Sequence, residues 1–166
     1  MKVKIKQEDL QSFNLSWLCV QPMLLAVRGK DLKTKLEMYN QLNEGQKGLF
    51  LFYSFHNHTK TMAEFYWFAA YNINELQSWK GIWNGVLYFN DNRMADLLDR
   101  IKLLIENRIK LGSQISPSDL DNNQELFNEV SRLYDKYIEF SEQTIIRMNE
   151  WINTNPEEFF EIERLV

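Results

Sequence analysis

Residues 43–57, NEGQKGLFLFYSFHN, constrain the fold more than any other stretch of this chain. Asn43 and Gln46 stand three apart. At that spacing an N-cap side chain takes the N3 backbone N–H, and the N3 side chain reaches back to the N-cap N–H. After them Leu49, Phe50, Leu51, Phe52, Tyr53 and Phe55 put apolar groups on most sides of one helix. A helix without a polar face has to be surrounded. A buried strand is the rival reading of so short an apolar run. The cap signal and the length favour a helix, expected over residues 44–57 at the centre of the molecule.

The rest of the chain supplies helices to surround it. Its 166 residues suit one domain. With 6 Gly and 3 Pro, turns are few and elements long. Aromatic residues make up 14%, enough large side chains for a substantial core. Leu10, Phe13, Trp17 and Val20 recur at helical spacing until Pro22, which predicts a break or kink and a second short helix ending at Gly29. Leu32, Leu36 and Tyr39 form the next stripe. Thr61 and Glu64 make a second capping box before a helix over 62–72, with Phe65, Phe68 and Ala69 inward and Tyr66, Trp67 and Tyr71 on the flank. Trp79, Ile82, Trp83 and Val86 face inward on a further helix. There Gly81 and Gly85, four apart, share a side where another helix could come close.

Residues 90–112 read as an amphipathic helix capped by Asn90 or Asp91 and closed by Gly112. Ser116 and Pro117 read as N-cap and N1 within a hinge at 113–123. From about 124 the apolar positions 126, 130, 133, 137, 140, 145, 148 and 152 mark one long helix to about 153. Pro156 opens a last short helix through PEEFFEIERL. Residues 1–6 are read as a frayed end rather than a short strand. The expectation is an all-α, single-domain bundle of about seven or eight helices: a core over 1–112 and acidic helices over 124–166.

The stretch HNHTKTMAEFYWFAAY, residues 56–71, holds both histidines and five aromatics within seven residues. His56, His58 and Glu64 could in principle hold a metal. Histidines at i and i+2 do not share a helix face, however, and neither HExxH nor a di-iron pattern is present. The capping box already gives Glu64 a structural role, so no metal and no cofactor are expected. Glu157, Glu158 and Glu161 resemble the EExxE part of helical nucleotide pyrophosphatases, with Asp96 and Asp99 as conceivable further acids. A helix N-terminus that favours acids explains them better. Cys19 lies among apolar neighbours, where a thiol is inert packing, and as a lone cysteine it forms no internal disulfide. No phosphate-cradling glycine motif is present. The aromatic set Tyr66, Trp67, Tyr71, Trp79 and Trp83 remains as a ligand or partner groove, although such rings more often fill cores.

LNEGQKGLFLFYSFHNH, AEFYWFAAY and YFND, within about residues 40–100, resemble a group of small uncharacterised all-helical proteins of bacillus-type Gram-positive bacteria. That resemblance implies a bacterial helical protein. It brings no activity and no residue role. The LNEGQ helix start is similar to that of a domain family that includes a bacterial DNA-mimic protein, which binds a transcription factor through an acidic surface. This chain lacks that family's Asn-Gly-Gly segment.

Charge points the same way as the missing motifs. Residues 1–112 carry fifteen Lys and Arg against eleven Asp and Glu, whereas residues 113–166 carry four against twelve. An acidic third repels phosphates, so direct nucleic-acid binding is not expected. No apolar run approaches the roughly 20 residues of a membrane span, and no apolar segment follows the basic N-terminus. The function expected is that of a non-enzymatic cytoplasmic protein that engages a basic partner through its acidic C-terminal helices. The long apolar stripe makes a homodimer conceivable. The alternatives are a small-molecule or metal-dependent enzyme using His56, His58, Glu64 and the tryptophans, and a DNA-mimic regulator.

Overall fold

A computed structural model describes residues 2–112 and 114–163. Among them the chain forms α1 (Leu15–Val27), α2 (Leu32–Asn40), α3 (Glu44–His56), α4 (Met62–Asn74), α5 (Trp79–Tyr88), α6 (Asn92–Lys110), α7 (Asp119–Asn122), α8 (Gln124–Thr154) and α9 (Pro156–Phe159). A 3-10 helix over Gln7–Gln11 and two three-residue strands, β1 (Val3–Ile5) and β2 (Phe160–Ile162), complete it. The fold is all-α. No helix among the described residues is long and apolar enough to cross a membrane.

α3 is the central element. Its capping box forms as the sequence predicts: the Asn43 side chain accepts from Gln46 N at 2.8 Å, and Gln46 Oε1 accepts from Asn43 N at 3.2 Å. Burial follows on several sides, at Gly45, Leu49, Phe50, Phe52, Tyr53 and Phe55. α5 crosses α3 where Gly48 and Gly85 meet. A Cβ added to Gly85 would lie 2.7 Å from the Gly48 Cα, closer than side-chain carbons are found to backbone. Gly81, one turn earlier, faces only the flexible Leu51 side chain. The pair of glycines read from the sequence is therefore a helix-crossing site, and the helix that approaches is α3. Around it, the fully buried Phe55 ring touches Phe65, Phe68, Trp79 and Tyr137, at centroid distances between 5.2 and 6.2 Å.

α8 lies across the bundle and buries Leu126, Val130, Tyr137, Met148 and Ile152. The stripe that raised the prospect of a second subunit is covered within the chain. Buried Asp91 caps α6 by accepting from Met94 N at 3.0 Å, and the Thr144 hydroxyl of α8 donates to its other oxygen at 2.7 Å. A carboxylate this deep needs such donors. Most of the expected hinge is tied down: Leu120 is buried, and Asp119 accepts from Ser116 N and from the Tyr66 hydroxyl. Ser113, its first residue, lies outside the described residues.

Five local readings need correction. Residues 3–5 are not frayed but pair in parallel with residues 160–162, Lys4 opposite Glu161. The expected C-terminal helix stops at Phe159, because the chain turns extended to make that pairing; residues 164–166 lie outside the described residues. Pro22 sits inside α1 without ending it. It is exposed, so the Leu18 carbonyl it leaves without a donor is on the wet side of the helix, where water can serve it. α1 starts only at Leu15, which leaves Phe13 87% exposed, and the Leu32 and Leu36 stripe of α2 is also exposed.

The crossing generates a test. Gly85→Ala should lower the unfolding free energy by about 3 kcal/mol, since backbone cannot yield as a side chain can. Gly81→Ala should cost clearly less, because Leu51 can rotate away. Urea unfolding of both variants beside Asn84→Ala, an exposed control in the same helix, measures the difference.

Candidate functional site

The turn between α3 and α4 carries the residues that the sequence offered for metal chemistry. Glu64 closes the second capping box: its carboxylate accepts from Thr61 N at 2.9 Å, and Glu64 N donates to the Thr61 hydroxyl at 3.2 Å. His58 Nδ1 lies 2.8 Å from the Ser54 carbonyl, and its ring tilts over Phe68 at 4.8 Å. A carbonyl only accepts, so Nδ1 of His58 carries the proton. His56, the last residue of α3, instead stacks on Phe52 at 5.3 Å and places Nδ1 3.0 Å from the Tyr137 hydroxyl of α8. Beyond their shared contacts with α3, the two imidazoles turn to different helices, His58 to α4 and His56 to α8. Among the described residues no three His, Cys, Asp or Glu side chains converge as a metal site would require.

The five aromatic candidates are also divided. Tyr66 is buried, not on the flank, and its hydroxyl donates to Asp119 at 3.0 Å. Trp79 is buried and donates its indole N–H to the Leu98 carbonyl at 3.2 Å. Trp83 is half-buried and donates to Asp99. Trp67 and Tyr71 stack face to face at 5.3 Å on the outer side of α4, with Trp67 41% exposed. Two of the five are core, and only the Trp67–Tyr71 pair presents ring faces outward. Of the C-terminal acids, Glu158 serves the fold as well. Glu158 accepts from the Tyr88 hydroxyl, and its carbonyl accepts from Asn43 and Gln46 at the start of α3. Burial pushes the Cys19 thiol up to about 12, which leaves no thiolate for nucleophilic work near neutrality.

One open cleft borders this region. It encloses about 230 Å³ and is lined by His56, Thr59 and Lys60 from the α3–α4 turn and by Tyr134, Ile138, Ser141, Glu142 and Ile145 from α8. Several polar groups of the wall are already joined: the Tyr134 hydroxyl donates to the Thr59 carbonyl, the Thr59 hydroxyl to the His56 carbonyl, and Ser141 to the Ile138 carbonyl. Three are not. Lys60 and Glu142, one from each wall, form no ion pair among the described residues, and His56 Nε2 has no partner there.

His56 was legible in the sequence as a chemical group. Lys60, Tyr134 and Glu142 were not, because two of them lie more than seventy residues further on, in a helix whose spacing shows only which side is buried. The one local signal was the polar character of Ser141 and Thr144 on an otherwise apolar stripe, and that marks packing as readily as a site.

Burial, and to a smaller extent the Lys60 charge, holds the His56 pKa down at about 4. An ordinary unfolded histidine titrates near 6.5. Between these values the unfolded chain binds a proton that the folded chain does not, so stability is full above about pH 6.5 and falls towards pH 4. His56→Gln keeps an acceptor for Tyr137 but does not titrate. The stability of the wild type relative to His56→Gln should therefore drop by up to about 3 kcal/mol between pH 7 and pH 4. Urea unfolding of both proteins at the two pH values reads it, and a constant difference would contradict the burial of this ring. Comparison of the chain with protein-family models, curated proteins and solved structures finds no match to any of them, so the functional reading rests on the geometry described above.

Proposed function

We propose that the protein is a non-enzymatic interaction module whose docking surface is the outer face of α8. One observation carries this reading. α8 exposes six carboxylates, Glu125, Glu129, Asp135, Glu139, Glu142 and Glu150, against three cations, Arg132, Lys136 and Arg147, and among them it leaves Phe127, Ile138 and Ile146 exposed by 39%, 39% and 41%. Carboxylates set the sign of the partner, and apolar side chains between them supply contact area that a merely solvated face does not need. A helix of this length runs about 46 Å, long enough to span a protein partner.

The partner is a protein with a basic surface in the bacterial cytoplasm. The same carboxylates disfavour nucleic acid through phosphate repulsion. Of the charges on this face, Glu139 is held by Lys136 at 2.8 Å, while Glu129, Asp135 and Glu150 have no ion-pair partner among the described residues and are available to a visiting cation. A catalytic reading has less support, since the groups suited to nucleophilic or metal chemistry are engaged in capping and packing.

Removing α8 cannot test the proposal, because the core goes with it. A photo-crosslinking residue at Ile146, with Leu103 on α6 as the exposed control, should capture a basic protein in cells only from the α8 position. Against that partner, once purified, the triple variant Glu129→Lys, Asp135→Lys, Glu150→Lys should bind at least about tenfold more weakly, with an unchanged unfolding midpoint. Capture from both positions alike, or binding indifferent to charge reversal, would count against an α8 docking face.

A further inference from the structure

We propose that the cleft between the α3–α4 turn and α8 is a binding site for a small amphoteric ligand, an α-amino acid or close relative. Its carboxylate would meet His56 Nε2 and the Lys60 ammonium, its ammonium group Glu142, and its side chain Ile138 and Ile145.

The ligand class follows from the wall chemistry. The cleft encloses about 230 Å³, below the roughly 300–1,000 Å³ typical of drug-sized ligands, so it suits a small metabolite. Lys60 enters from the turn and Glu142 from α8, and the two do not neutralise each other as an ion pair. A site with one cation and one anion on facing walls complements a molecule carrying both charges. A simple anion would leave Glu142 unanswered, and a simple amine would leave Lys60 so. Ile138 and Ile145 supply the apolar part of the lining.

His56 is the most constrained donor in this wall. Its ring is fixed by the Phe52 stack and by the Tyr137 hydroxyl at 3.0 Å. Tyr137 is fully buried, and its proton needs an acceptor. Nδ1 lies at that distance, and the Thr59 hydroxyl is the other group beside Tyr137; with Tyr137 donating to Nδ1, the ring proton of His56 sits on Nε2. Nε2–H is then left without a partner, exposed on a residue that lines the cleft. Burial keeps the ring neutral at pH 7, so it donates without bringing a second positive charge beside Lys60. Phe52, Tyr137 and the Thr59 and Tyr134 bonds hold the wall in place before any ligand arrives, which reduces the cost of ordering on binding.

The test is a titration of the intact protein with each of the common L-amino acids, with acetate and with a short alkylamine, followed by NMR of the His56 ring and the Ile138 and Ile145 methyl groups. The expected result is a saturable shift of all three with at least one amino acid bearing an apolar side chain, with acetate and the amine at least about tenfold weaker. Lys60→Met and Glu142→Gln, both at exposed positions that leave the core untouched, should each weaken that binding about tenfold. The ring nitrogen shifts of His56 should report protonated Nε2. No saturable shift with any amino acid up to about 10 mM, roughly ten times a millimolar Kd, binding of acetate as tight as that of the amino acid, or binding unchanged in both variants would each overturn the proposal.

Discussion

The meeting of Gly48 and Gly85 is the contact on which the rest of the structure depends. With no side chain on either residue, the α3 and α5 backbones come within van der Waals contact, and α3 settles deep between its neighbours. That depth exposes its remaining sides to burial. The Tyr53 side meets α1 through the Ser16 hydroxyl at 2.8 Å, and the Phe55 side meets rings of α4, α5 and α8. Its two ends acquire distant partners as well. Asn43 holds the Glu158 carbonyl, and His56 reaches Tyr137. A bulkier crossing would push α5 outward and loosen each of these contacts together, because close-packed interiors transmit displacement.

Around this core, the residues that resemble chemistry in the sequence are largely consumed by structure. Buried polar groups are costly without partners, and the fold provides one for each of the following. Glu64 completes a cap, Trp79 and Tyr66 find acceptors, Asp91 holds two donors, and Glu158 joins the last helix to the third. What remains unengaged is informative by contrast. The outer face of α8 keeps carboxylates and apolar side chains that no neighbour uses, and the cleft on its flank keeps a cation, an anion and an imidazole N–H. Both features belong to the same helix, which buries Leu126, Val130, Tyr137, Met148 and Ile152 on its other side. A rigid helix anchored by its inner face is a suitable frame for presenting its outer one.

Local signals explain which parts of the fold could be read in advance. α3 and α4 were legible because their caps are closed by residues three apart, and α6 and α8 because their apolar positions recur every three to four residues. α1 departs from its sequence pattern at both its start and its middle. Asn14 gives it no side-chain cap; Ser16 N donates instead to Asn149, 133 residues away, whose amide also donates to the Phe13 carbonyl. No local pattern can announce a cap delivered from another helix. Pro22 misled for a related reason: its consequence depends on whether the carbonyl it frees faces water, which is a property of the packed helix.

By itself, then, the sequence determined the class of the fold, the central helix and the inward faces of the long helices, since hydrogen bonds and side-chain spacing within one or two turns are enough to specify them. It also determined where acidic charge accumulates. Only the tertiary structure decided that the two ends of the chain pair as strands, that α1 begins at Leu15, and that His56 parts from His58 to line, beside Lys60, a cleft whose other wall carries Glu142. Each of these rests on groups brought together from distant parts of the chain. Their meeting is settled by how the helices pack, which periodicity along one segment does not encode.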